Sequence, residues 1–568
     1  MTKRQLLFKI VTILMLASFL LSVFGCSTPV ETPAAAEQPT AAPADDAGSE
    51  TEVESTDIPE EPEPAEPTES ILVIADARDP STLDPAQVYD GSDRFTFQMY
   101  ETLLRVKDAS AEVIPWLAED WDVSDDFQTY TFYLKEGVTF HDGYPFNADA
   151  VKFSLDRMIS LGKGLSWAFK MVMDENSVEV VDEYTVRIQL TNPYPAFPGM
   201  IASKYGAPII SPGVMEHEVD GDMGHEWANH NSAGTGPYKL FEWKPKEEVS
   251  MVRFEDYWQG WDGNHIDRLI FKNVPDPTSR RLMLETGEAS FAVYLNFEDV
   301  PLLEANPDFK VVRSTPGEST FNYFILMNTR QGPLTDIKIR EAISWAFPYQ
   351  DTIQEVFMGM GAQAIGPLPQ VMPNHNKDLF VYHQDLDKAR DLLAEAGYPG
   401  GEGLTLSIAY SQGGETGENL YEIMAATLTD LGIEVEGRPY TWGAMMDNLV
   451  SQETAPDLNV ADWWPDYPDP DSFLGGITEY FLWGGRDEAD YYYYNEELKQ
   501  LLLDAAFETD TNKRRDMYYR AQEIMVEDIA AVWVFDEDSF VTMDASLQGF
   551  VHNPFYIMIP DFYQMWVE

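Results

Sequence analysis

One cysteine, Cys26, in 568 residues leaves no internal disulfide framework and no thiolate metal cluster, so the fold must be held by buried apolar surface. The chain has that surface: 44% of it is hydrophobic and 13% aromatic, and its length suits two or three domains. The apolar residues are unevenly spread. Residues 27–69 are Pro, Ala, Thr and Glu with almost no large apolar side chain, and positions 31–69 hold 13 acids and no Lys or Arg. Such a stretch cannot bury enough surface to offset its ordering entropy, and its prolines and like charges keep it extended. It reads as a tether, and the fold begins at Ile71-Leu72-Val73-Ile74.

Ahead of the tether, Lys3, Arg4 and Lys9 precede an apolar run from Ile10 to Phe24 and then Gly25-Cys26-Ser27. A basic head, a short apolar run and a small residue before the cleavage point make a secretory signal over residues 1–25. At 15 residues the run falls short of the ~20 needed to span a membrane. Leu21 to Cys26 resembles a bacterial lipobox, with Phe24 bulkier than usual, which implies that Cys26 becomes a lipidated N-terminus followed by the tether to residue 69. The formal charge of −60 leaves the body strongly acidic. That surface repels nucleic-acid phosphates, and nucleic-acid binding is excluded.

Strand and helix signals then mix. Residues 129–134 (TYTFYL) and 185–190 (TVRIQL) carry the period-2 pattern of half-buried strands. Helical spacing appears at Val151, Leu155 and Met158 behind Asn147 as N-cap, and at Ile339, Ala342, Ile343 and Ala346 behind Asp336. It recurs at Ala389, Leu392, Leu393 and Ala396 between Asp385 and Gly397-Tyr398-Pro399. The class is mixed α/β, without internal repeat.

Ordered blocks carry a family resemblance: residues 81–86 (STLDPA), 100–103 (YETL), 115–121 (PWLAEDW), 130–143 (YTFYLKEGVTFHDG), 234–238 (GTGPY), 256–258 (DYW), 337–347, 385–397 and 463–471 (WWPDYPDPD). In order and spacing, from Ile71 to the C-terminus, the chain is similar to the family 5 extracellular solute-binding proteins, the dipeptide- and oligopeptide-binding group. The resemblance implies a two-lobed periplasmic-binding-protein-like α/β fold of type II that closes on a ligand by a hinge. It implies a first lobe over 70–313 with an extra subdomain at about 111–230, a second lobe over 314–527, and a return to the first lobe over 528–568. It further implies a non-enzymatic, monomeric, lipid-anchored extracytoplasmic component of an ABC importer, capturing di- and oligopeptides for membrane permease subunits, with no cofactor and no metal.

Carried over residue by residue, the resemblance places a ligand's α-amine on Asp466, three residues after Trp463, a charge-assisted bond that reads any peptide by its terminus. Trp463 and Trp464 would line the pocket; adjacent side chains on extended backbone point apart, so one should pack inward, and family position favours Trp463 for the pocket. One departure stands out. Arginines upstream of this motif hold the ligand carboxylate in the relatives, whereas Val460 and residues 410–419 offer none here. With 14 tryptophans, stacking on oligosaccharides is the alternative ligand reading. The spacing Asp466, Asp469, Asp471 lacks the glycine and terminal Glu of an EF-hand, and His217, Glu218, His225 and Glu226 lack the H-E-x-x-H spacing. His141-Asp142-Gly143 reads as a hairpin turn and Gly234–Tyr238 as a return crossing with Tyr238 in the core. The reading from another class, a secreted carboxylate-based hydrolase, rests only on the abundance of acids.

Overall fold

The computed structural model describes residues 69–568 apart from 109, 316, 450–453, 479–491 and 557. The signal, Cys26 and the tether lie outside the described residues, as does Tyr491 of the tyrosine run 491–494.

Two large sheets carry the architecture, each collecting strands far apart in sequence. The first has seven strands in the spatial order Phe309–Arg313, Phe540–Asp544, Phe291–Val293, Ile71–Asp76, Arg268–Asn273, Glu248–Arg253 and Tyr238–Lys244. The second has six: Gly361–Gln363, Ala531–Glu537, Asn322–Met327, Leu458–Trp463, Thr405–Ser411 and Glu434–Tyr440. Ala531–Glu537 is buried at every position, the mark of an inner strand covered on both faces. It pairs with Asn322–Met327 and Gly361–Gln363, so the chain returns to the first sheet after Glu537 and not at 528. The period of 2 that suggests a half-buried strand is absent from this stretch, which is why its sheet was not evident from pattern.

A separate four-stranded sheet orders Ala118–Val123, Thr129–Leu134, Thr185–Gln189 and Val178–Asp182. Its two inner strands are the ones read from alternation, and Tyr130, Phe132, Leu134, Val186 and Ile188 all point into the core. Helix Ala148–Leu161 packs over it; the Asn147 side chain caps it by accepting from the Ala150 amide at 3.1 Å. Asp336 caps Ile337–Ala346 and Asp385 caps Leu386–Glu395 in the same manner, and Gly397 takes φ 92°, where glycine meets no Cβ penalty.

The segment 81–86 is pinned by its acid. Asp84, fully buried, accepts from both terminal nitrogens of the equally buried Arg157 at 2.8 and 2.6 Å and from His225 Nδ1 at 3.0 Å. Burial pushes the Asp84 carboxyl up, but the Arg157 and His225 hydrogen bonds outweigh it and leave it below the ordinary value. His225 is thereby a structural partner of Asp84. His141–Gly143 forms the expected tight turn, with Gly143 at φ 86° and its amide bonded to the Phe140 carbonyl. Tyr238 is fully buried, and a Cβ at Gly234 would lie 2.0 Å from the Met99 carbonyl oxygen, which is why glycine stands there. No helix among the described residues is long and apolar enough to cross a membrane.

Candidate functional site

The inner strands of the second sheet end together. Asn322 lies between Trp463 on one side and Asp536 on the other, and Tyr323 lies opposite Asp462. Past Trp463 the chain leaves the sheet as Trp464-Pro465-Asp466-Tyr467-Pro468-Asp469-Pro470-Asp471. Its prolines forbid further strand pairing and send it across to residues 194–205, where the Ser203 hydroxyl donates to the Asp466 carbonyl at 2.9 Å.

The three acids of this loop have different fates. Asp469 accepts both terminal nitrogens of Arg514 at 2.9 and 2.8 Å, a bidentate pair that anchors the loop to helix Thr511–Glu527. Asp471 accepts from the Tyr467 hydroxyl at 3.1 Å and from Tyr194. Asp466 is 7% exposed, and among the described residues its carboxylate has one hydrogen bond, from the neutral Tyr89 hydroxyl at 3.1 Å. Burial pushes its pKa to about 7, resisted by that bond and by the charge of Lys204. Lys204 is itself held by Asp93 at 2.9 Å. Asp466 is therefore a buried carboxylate without an ion-pair partner of its own among the described residues, a costly arrangement unless a cation arrives.

The two tryptophans do not point apart as extended backbone would have them: their rings lie 6.4 Å apart with planes 25° off parallel. Trp463 is 9% exposed and its ring lies so close to Gly476 that a Cβ there would be 2.7 Å away. Trp464 is half-buried, stacks on Phe321 with centroids 5.2 Å apart and planes 10° off parallel, and donates from Nε1 to the Tyr205 hydroxyl at 3.1 Å. Tyr205 meets Tyr89 edge-on at 5.4 Å. Trp464, Phe321, Tyr205 and Tyr89 thus form an aromatic wall beside Asp466. Trp463 stacks behind Trp464 and is the more enclosed of the two indoles.

Several charged groups here had no local sequence signal. Burial pushes Asp462 to about 6, with Arg78 acting in the opposite sense. Asp536 accepts from Asn322 Nδ2 at 2.7 Å and Glu537 from the Thr416 hydroxyl at 3.0 Å; burial pushes them to about 7 and about 8. Arg78 lies two residues beyond strand Ile71–Asp76 of the other sheet. It is exposed, sits over the Tyr294 ring at 4.9 Å, and has no carboxylate within ion-pair distance among the described residues. Its neighbour Arg94 is committed to Asp76 at 2.5 Å. A carboxylate with no cation and a guanidinium with no anion, on strand ends of different sheets, suit a ligand that brings both charges. Arg78 stands 385 residues before Trp463 in the sequence.

Comparison with known proteins gives the same frame. The profile of bacterial extracellular solute-binding proteins, family 5 Middle, matches residues 112–482. The probable D,D-dipeptide-binding periplasmic protein DdpA of Escherichia coli (strain K12) is 31% identical over 495 residues, covering 85% of this chain and 92% of the relative. The glutathione-binding protein GsiB of Pectobacterium atrosepticum is 30% identical over 468 residues, covering 82% and 87%. Among solved structures, the ABC transporter-associated periplasmic binding protein DppA from Helicobacter pylori, in complex with peptide STSA, matches with a TM-score of 0.73 at 27% identity, over 88% of this chain and 98% of that one. The α/β fold with two large sheets, the ordered sequence blocks and these matches agree: the chain belongs to the bacterial extracellular solute-binding proteins of family 5, the two-lobed binding components of ABC importers.

Proposed function

We propose that this protein captures short peptides outside the cytoplasmic membrane and delivers them to an ABC permease, anchored by a lipid on Cys26 and held off the membrane by the tether to residue 69. The lobes comprise residues 70–313 with 540–568, and residues 322–537, with an extra subdomain at about 111–230. The ligand's α-ammonium sits on Asp466, Trp464 and its aromatic neighbours form the wall beside the peptide, Trp463 supports that wall from behind, and Arg78 takes the carboxylate.

The observation that carries this reading is the state of Asp466. Its loop neighbours Asp469 and Asp471 are committed within the protein, while Asp466 is buried with a single neutral donor. An ammonium supplies the missing charge and up to three donors. The named ligands of several relatives, a D,D-dipeptide, glutathione and a tetrapeptide, all carry an amine and a carboxylate and support the peptide class. Closure then follows from differential affinity, because a ligand bonded to both lobes stabilises only the closed state.

Native mass spectrometry of gently purified protein, followed by release of whatever co-purifies, tests the assignment. Heterogeneous short peptides are expected. A ladder of sugar masses would overturn the peptide class and move recognition to the Trp464–Phe321 stack, whose flat face suits a sugar ring. Turnover of peptides or oligosaccharides by the purified protein would overturn the binding role itself.

A further inference from the structure

Tyr194 stands between Pro193 and Pro195 in the extra subdomain and is 1% exposed. The two proline rings restrict the backbone on either side of it. Its amide donates to the Phe127 carbonyl at 3.0 Å and its carbonyl accepts from the Tyr130 hydroxyl at 2.9 Å, so its backbone is fixed to the four-stranded sheet. Its side chain points elsewhere. The hydroxyl donates to Asp471 in the loop 464–471 and lies 2.9 Å from the Tyr467 hydroxyl. Tyr467 donates to the same Asp471 oxygen at 3.1 Å, so two phenol hydrogens converge on one carboxylate oxygen.

The receiving loop is equally fixed. Pro465, Pro468 and Pro470 stiffen it, the Asp469–Arg514 pair ties it to helix Thr511–Glu527, and the Asp471 amide donates to Asp469 at 2.9 Å. Ser472 Oγ accepts from the Asp466 amide at 2.7 Å, which joins Asp471 and Asp466 in one braced turn. The surroundings are apolar: Phe197 and Phe473 are fully buried, and a Cβ at Gly199 would lie 3.4 Å from Pro468. Along the same seam Ser203 donates to the Asp466 carbonyl, and Trp464 donates to the Tyr205 hydroxyl. These bonds join residues 194–205 to residues 464–471, which the lobe boundaries given above place in different lobes.

We propose that Tyr194 is a positioning residue that latches the lobes: its hydroxyl on Asp471 favours the closed arrangement with or without a ligand, and so sets the affinity for every ligand while touching none. The inference rests on those lobe boundaries. The bond is charge-assisted and joins two segments that are already held in place, so little conformational entropy opposes it. The observed Kd is the intrinsic Kd divided by the fraction of ligand-free protein in the binding-competent form. A hydrogen bond to a charged group corresponds to about 10- to 100-fold in the closed-to-open ratio, and the affinity of all ligands falls together when it is lost.

The test begins without ligand. In the full chain carrying Cys26→Ser, Phe241→Cys on the first sheet and Asp387→Cys on a helix of the second lobe, both exposed, accept a donor and an acceptor dye. Tyr194→Phe keeps the ring and removes the hydroxyl, and energy transfer is expected to show the lobes further apart, with an unchanged circular dichroism spectrum. Asp471→Asn is expected to act in the same direction, and the double variant to go little beyond Tyr194→Phe, because both delete one bond. Trialanine and Ala-Trp, titrated calorimetrically, should both bind Tyr194→Phe more weakly and by the same factor. An unchanged distance in Tyr194→Phe would overturn the latch, even with a lowered melting temperature, which would make the hydroxyl merely structural. A loss confined to one of the two peptides would overturn it as well, since that requires direct contact. Failure of both peptides to bind the parent would count against the peptide reading alone, and the ligand-free distance would still decide the latch.

Discussion

Replacing Asp466 by Asn isolates the charge at the centre of the proposed site. The amide keeps the shape and leaves an oxygen to accept from the Tyr89 hydroxyl, so what is lost is the negative charge. A buried ammonium deprived of its counter-charge costs about 3 kcal/mol or more, which is about 100-fold in Kd. Calorimetric titration should compare a dipeptide with its N-acetyl analogue, on the parent and on Asp466→Asn. In the parent, acetylation and mutation should each cost about 100-fold. Applied together they should cost little more than either alone, since both delete the same bond. The unliganded protein should not suffer. Its Asp466 carboxyl is raised to about 7, so it penalises the folded state increasingly as pH climbs from the unfolded value of about 4 through 7. The variant's melting temperature should therefore match the parent's at about pH 4 and exceed it at pH 8. Undiminished affinity, or an acetylation penalty that persists in the variant, would refute the anchor.

Arg78→Ala should weaken binding of a free dipeptide by about 1.5–3 kcal/mol, the range for a charge-assisted hydrogen bond, and leave its C-terminal amide nearly unaffected; an equal loss for both would remove Arg78 from the carboxylate role. Asp84→Ala strands the buried Arg157 guanidinium and should lower unfolding free energy by about 3–5 kcal/mol in urea titration, and a change within 1 kcal/mol would show that water or relaxation compensates. Gly234→Ala drives a methyl into the Met99 carbonyl and should destabilise by about 1–3 kcal/mol, read as a fall in melting temperature; an unchanged melt would mean that the crossing shifts freely.

Local rules recovered much of this protein from its residue order. The caps at Asn147, Asp336 and Asp385, the strands 129–134 and 185–189, and the turn at His141–Gly143 depend on hydrogen bonds and periodicity over a few neighbours, which a sequence displays directly. The ordered blocks also pointed to the family. The tertiary structure decided which acids are available. Asp469 is neutralised by Arg514, 45 residues away, and Asp471 is bonded to Tyr194, 277 residues away, so three similar acids in one loop acquire different roles. It also decided that Ala531–Glu537 belongs to the second sheet, that Trp464 stacks on Phe321 with Trp463 enclosed behind it, and that Arg78 stands across from Asp462. The reason is common to all four. Whether an acid is charged, a strand enclosed or an indole accessible depends on desolvation and on partners supplied by remote parts of the chain, and neither is encoded within the few residues on either side.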